Sequence, residues 1–289
     1  MIVKDRNKNI IKNSDGSLDK AIRHVYGNAV GRFILRIFTQ PIVSKAVGAF
    51  MDSRYSAPLI EPFIKANNIN TDDYIMDDID TYNKFFTRKI KDGKRHIDMA
   101  KNSFISPCDA KLSVYKLDSD SVFEIKNSLY RASDLVKCKK LADKYNGGWC
   151  MIFRLEVDDY HRYCYIDNGT KSKNNFIKGV LHTVNPIAFE HYNVYKRNCR
   201  EFSVLHTENF GDVTQIEVGA MFVGKIANHH EKYSFRRGEE KGMFLFGGST
   251  IVLLIEKDKL MPCSEFLENT ADNCETIVKM GEKIGISLR

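Results

Sequence analysis

"KGMFLFGGSTIVLLIEK", residues 241–257, sets two glycines, a serine and a threonine between two apolar runs, and each run reads as a buried β-strand. Two glycines at a strand break ordinarily mark a bulge or tight turn, and a phosphate-cradling loop is the usual functional competitor. No lysine follows the glycines and no helix is evident after Thr250, which excludes the Walker-type loop. Gly248 exposes its carbonyl and lets the backbone bend, so Ser249 is a candidate nucleophile. A serine-hydrolase elbow needs G-x-S-x-G between a strand and a helix, whereas G-G-S-T here lies between two strands.

Outward from this stretch, the chain from about residue 103 consists of short apolar runs separated by turn residues, as in a largely antiparallel β structure. "MIFRLEV" alternates Met151, Phe153, Leu155 and Val157 against Ile152, Arg154 and Glu156. "IEVGAMFVGKI" places Ile216, Val218, Ala220 and Phe222 on one side, with Gly219 and Gly224 suggesting bulges or a close backbone approach. Residues 18–66 read instead as helical, with Val30, Phe33, Ile34, Ile37 and Phe38 able to share a face and Arg23, His24, Arg32, Arg36 and Lys45 supplying basic flanks. That stretch fits either a helix capping the core or an interfacial helix on anionic lipid. The fold class expected is α+β: a helical N-terminal region over residues 1–80, then a β-rich body over residues 81–289.

The formal net charge of +7 favours an anionic partner without choosing it, and the basic residues form no block or motif that points to nucleic acid. Seven cysteines without a CxxC pair signal neither a zinc site nor a disulfide framework, and no metal is expected. The N-terminus is too polar for a secretory signal, and no run approaches the ~18 apolar residues of a spanning helix. A cytoplasmic chain that does not cross the membrane is therefore expected.

Three further stretches can carry chemistry. In "SPCDAKL" (106–112) Asp109 follows a proline turn, where aspartate is common for local reasons alone. In "VDDYHRYCYIDNG" (157–169) His161 emerges beyond a buried strand beside two carboxylates and an arginine, either as a site or as a solvated hairpin end. "HTVNPIA" (182–188) reads as a structural turn set by Asn185 and Pro186.

Taken in order, "NKFFTRKI" (83–90), "SPCDAKL", "DYHRYCYIDNG", "VNPIA", "NFGDVTQIEVGAMFVGKI" and "KGMFLFGGST" resemble the phosphatidylserine decarboxylases, in particular the bacterial members. The resemblance runs from about residue 80 to residue 257; the N-terminal region is similar only in character, as a membrane-associating section. It implies that Ser249 attacks the carbonyl of Gly248 and that β-elimination from the resulting ester cuts the chain. A β chain (1–248) and an α chain (249–289) would remain associated as a heterodimer, open to further dimerisation, with Ser249 converted to an N-terminal pyruvoyl group. The pyruvoyl cofactor would form a Schiff base with the amine of phosphatidylserine, and CO2 would leave to give phosphatidylethanolamine.

Carried over residue by residue, the resemblance makes His161 the base for Ser249 and Asp109 the carboxylate that orients it, since a hydroxyl needs a base and imidazole suits neutral pH. Family members commonly carry a second histidine where this chain has Cys164, so either His161 does both jobs or Cys164, a poor proton shuttle unless its thiol pKa is lowered, substitutes in part; His182, His191 and His206 are unranked substitutes. Ala110 stands where glycine is frequent. The location implied is peripheral, on the cytoplasmic side of the cell membrane, against anionic phosphatidylserine. A pyruvoyl-dependent decarboxylase of another amino acid or lipid, or a non-catalytic lipid-binding relative, are the alternatives.

Overall fold

The computed structural model describes residues 2–13, 24–25, 28, 31, 35, 40–125, 128–182, 194–220, 226–245 and 249–288. Its centre is an eleven-stranded sheet. From one edge the order runs Tyr233–Phe235, Gly169–Lys171, Arg200–Thr207, Gly211–Gly219, Ser249–Ile255, Trp149–Leu155, Ala110–Lys116, Cys274–Val278, Ile2–Lys4 and Ile10–Asn13, with Asn175–Ile177 pairing beside Arg200–Thr207. Its pairings are antiparallel apart from that of Ile2–Lys4 with Cys274–Val278, which is parallel.

The strand Ser249–Ile255 lies mid-sheet between Gly211–Gly219 and Trp149–Leu155. Ile251, Leu253 and Ile255 enter one core with Met151, Phe153 and Leu155, while Val252 and Leu254 enter a second core with Cys150, Ile152, Ile216 and Val218. Burial on both faces explains why "IVLLI" is apolar without alternation. Ile216, Val218 and Ala220 share a face as expected. Gly219 makes no bulge, because it pairs with Ser249 in unbroken register.

The run before the break belongs elsewhere. Glu240–Phe244 is the middle strand of a small sheet, between Arg162–Cys164 and Ile226–Asn228. Gly242 is required there, since a Cβ would lie 2.5 Å from the carbonyl oxygen of Ala227 and 2.8 Å from the Tyr163 hydroxyl. The strand breaks after Phe244 because the chain must pass from the small sheet into the large one. A buried ion pair, Lys241 Nζ to Glu217 Oε1 at 2.7 Å, ties the two sheets together.

The N-terminal region differs from expectation. Residues 2–13 form a hairpin on the main sheet, with Val3 buried and Asp5 accepting from the Asn9 amide to close the polar turn, so the helical region does not begin at residue 1. Helices do appear at Pro41–Met51 and Ile60–Asn67. The expected face of Val30, Phe33, Ile34, Ile37 and Phe38, and the basic residues Arg23, Arg32 and Arg36, lie outside the described residues, as do Phe222, Gly224, "TVNPIA" and the glycines at 247 and 248.

Candidate active site

Ser249 opens its strand, opposite Leu155 on one side and Gly219 on the other. Leu155 ends its own strand, and residues 156–160 then turn back to His161. The His161 carbonyl accepts the Phe244 amide at 2.9 Å. Both ends of the break are thereby fixed: Phe244 against His161, and Ser249 against the strand that leads to His161.

Ser249 and His161 are fully buried. His161 Nδ1 lies 2.9 Å from the carbonyl oxygen of Asp159. A carbonyl only accepts, so Nδ1 carries the proton and Nε2 presents its lone pair. Neither Nε2 nor Ser249 Oγ has a hydrogen-bond partner among the described residues. Other buried side-chain atoms, Thr250 Oγ1 among them, are unpartnered too; what sets these two apart is that one can donate, the other can accept, and both stand at the edges of one break. Burial pushes the imidazole down to about 3, Arg88 adds to the effect, and the ring is neutral at physiological pH.

Asp109 is placed differently from expectation. Its carboxylate accepts from Arg95 Nη2 at 2.7 Å and Nε at 3.2 Å, from the Met280 amide at 2.8 Å and from Lys279 Nζ at 3.3 Å. Burial opposes its ionisation, but the Arg95 fork and Lys279 outweigh it and hold the carboxyl below its usual range. A hydrogen-bonded Ser-His-Asp chain is therefore not assembled: the Asp159 carbonyl orients the imidazole, and Asp109 acts on it through space by favouring its charged form. Asp159 is held in turn, its carboxylate accepting from Lys111 Nζ at 2.6 Å and from the Glu156 amide at 2.7 Å.

Cys164 is buried, with Sγ 3.9 Å from the carbonyl oxygen of Ser106, and burial pushes its thiol up to about 12. The thiolate needed for proton transfer is thus scarce at neutral pH. Among the other histidines, His206 bonds Asp212 at the far end of its hairpin, seven residues or about 23 Å along the strand from Gly219. His182 is closer to the serine: the Asn198 carboxamide bonds both its amide and its carbonyl and donates to the carbonyl of Gly219, the partner of Ser249. His191 lies outside the described residues.

The sequence reading missed Arg88, Lys111 and Asp159 as supports of the imidazole. Each stands within or beside a quoted motif, but long-range pairing is what brings them together. A cavity of about 310 Å³ is lined by Arg95, Tyr160, Arg162 and Cys164. A larger groove of about 740 Å³, near His206 and Arg236, includes none of Asp109, His161 and Ser249.

A sequence profile of the family described as phosphatidylserine decarboxylase matches residues 82–286. The chain is 46% identical to phosphatidylserine decarboxylase proenzyme 2 of Clostridium acetobutylicum, over 91% of each sequence. It is 40% identical to the phosphatidylserine decarboxylase proenzyme of Clostridium kluyveri over 93% of each sequence. Against the proenzyme of Desulfitobacterium hafniense the identity is 36%, over 93% of this chain and 92% of the relative.

Proposed function

The chain belongs to the phosphatidylserine decarboxylase family and decarboxylates phosphatidylserine, and from that premise we propose that it is activated by cutting itself between Gly248 and Ser249, with His161 as the base. The observation that carries this reading is the buried pair of unsatisfied atoms, Ser249 Oγ and His161 Nε2, at a break whose two ends are both tied to the His161 loop.

In the cut, His161 Nε2 takes the hydroxyl proton of Ser249 while Oγ adds to the Gly248 carbonyl carbon. The peptide C–N bond then breaks and the proton passes to the freed amine of Ser249. An ester now joins the two chains. Loss of the Ser249 α-proton and cleavage of its Cβ–Oγ bond release the Gly248 carboxylate, and water replaces the amine nitrogen, leaving a pyruvoyl group and ammonia. We assign His161 the α-proton as well, and Asp109, which favours the charged ring, would ease its transient charge.

The residues present suit a pyruvoyl group: its carbon skeleton is that of Ser249, which is already buried and flanked on both sides by paired strands. That carbonyl supplies the electron sink for CO2 loss. His161 is the group we assign to return a proton to the product. The pairing of Ser249–Ile255 and Cys274–Val278 with strands on either side supports a heterodimer that holds together after the cut.

We place the chain at the cytoplasmic face of the membrane; contact with an anionic surface, though not the side, is supported by exposed Ile42, Phe50 and Tyr55, at 76%, 47% and 86% exposure, beside Lys45 and Arg54. No helix among the described residues is long and apolar enough to cross a membrane. The test of the chemistry is direct: Ser249→Ala and His161→Ala chains should each remain a single band on a denaturing gel while the parent runs as two. A His161→Ala chain that still cuts itself removes His161 from the role of base.

A further inference from the structure

Residues 85–90 touch the His161 loop on both sides of the imidazole. The Phe86 ring lies 3.9 Å from the imidazole, centroid to centroid, at 36°. Arg88 spans the gap between the two segments, Nη1 donating to the carbonyl of Phe85 and Nη2 to that of Asp158, each at 3.3 Å. Arg162 returns the contact, Nε donating to the Thr87 carbonyl at 2.7 Å, and the Ile90 amide reaches the Tyr160 hydroxyl at 3.5 Å. Residues 158, 160, 161 and 162 are thus all tied to one short stretch.

We propose that residues 85–90 form the clamp that positions His161, and that Arg88 is the positioning residue that holds the imidazole in place with its Nε2 open to the serine proton. Arg88 is 2% exposed and lies over the faces of Tyr74 and Phe85, at 4.3 and 4.8 Å from the ring centroids. It makes no ion pair among the described residues, although buried guanidinium groups are ordinarily matched by a carboxylate.

The other charged groups facing His161 are offset. Lys111, from the strand Ala110–Lys116, is matched by Asp159 and Glu156, and Asp109, from the preceding turn, by Arg95 and Lys279. On the loop of His161 itself, the Asp159 carbonyl favours the protonated ring. Arg88 is therefore the uncompensated charge, and it acts with burial in the direction that resists protonation.

This rests on His161 serving as the base, so the first readout is independent of cleavage. In the uncut Ser249→Ala chain, the His161 ring is titrated by NMR, its signal assigned by its loss in a His161→Gln variant. The ring should stay neutral down to the lowest pH at which the chain is folded. Adding Arg88→Met should raise its apparent pKa by about one unit or more. With Ser249 restored, Arg88→Met should slow self-cleavage at least tenfold at neutral pH and move the acid limb of its pH profile upward. Arg88→Lys, which keeps the charge but loses the fork, should slow cleavage and leave that limb in place. Either a folded Arg88→Met chain whose His161 titrates like the parent, or an Arg88→Lys chain that cuts at the parent rate, overturns the proposal. A cleaving His161→Ala chain would instead sink the base assignment and leave the titration result standing.

Discussion

Replacing Lys241 by methionine tests how the two sheets are joined across the break. Lys241 and Glu217 are both fully buried, 2.7 Å apart, and Lys241 also donates to Asn228 Oδ1 at 2.8 Å. Removing the ammonium leaves Glu217 with one long contact, from Asn228 Nδ2 at 3.3 Å. Stranding one member of a buried pair costs about 3–5 kcal/mol. In urea, with a slope of about 3 kcal/mol/M for a chain of this size, the unfolding midpoint of the Ser249→Ala chain should fall by about 1–1.7 M. The double variant Lys241→Met, Glu217→Gln should recover part of this, because no buried charge is left without a partner. Cleavage in the Lys241→Met chain should also slow, since Phe244 and its bond to the His161 carbonyl lie on the same strand. A midpoint shift under about 0.3 M, or a double variant as damaged as the sum of the singles, would refute the view that this pair couples the sheets.

Asp109→Asn should remove an acid-sensitive contribution: the depressed carboxyl adds stability above its ordinary value of 3.8, and that stability is lost as pH falls through the lower folded value. Acid unfolding followed by circular dichroism should therefore be less steep below about pH 4 in the variant, which is less stable than the parent at pH 7. Gly242→Ala forces a Cβ against the Ala227 carbonyl oxygen and should cost about 1–3 kcal/mol in thermal unfolding and slow self-cleavage on gels; an unaffected chain means the small sheet is more loosely packed than described. Native alkylation at pH 7.5 followed by peptide mass mapping should label exposed Cys138 and spare Cys164, and rapid labelling of Cys164 would show that its thiol is neither buried nor raised.

The β-rich body was legible because its strands carry their own pattern. The continuous apolar run at 251–255 reports burial on both faces directly, whereas the alternation at 151–155 shows only one of two buried faces, since Ile152 enters the second core and Arg154 is buried against Glu275. That one strand ends near Phe244 and another begins near Ser249 was also legible, but the cause was not: adjacent strands in sequence normally pair, and nothing local says that Glu240–Phe244 and Ser249–Ile255 join different sheets. The N-terminal hairpin escaped notice because "IVK" and "IIKN" are too short to show a period, and their partner, Cys274–Val278, lies at the other end of the chain. Ser249 and His161 were found by motif, and the fold sets both at one break. The hydrogen bond expected from Asp109 was not found, because the competing donors Arg95 and Lys279 come from segments whose approach no spacing reveals. Cys164 could be assigned no role from residue type alone, since thiol chemistry depends on burial, and burial is what silences it.

The mass of the intact protein after expression is the most direct test of self-activation at Ser249. Two chains are predicted, ending at Gly248 and beginning at position 249, with the smaller one lacking a free N-terminal amine and reducible by borohydride. A single 33.2 kDa chain with Ser249 intact would contradict the account.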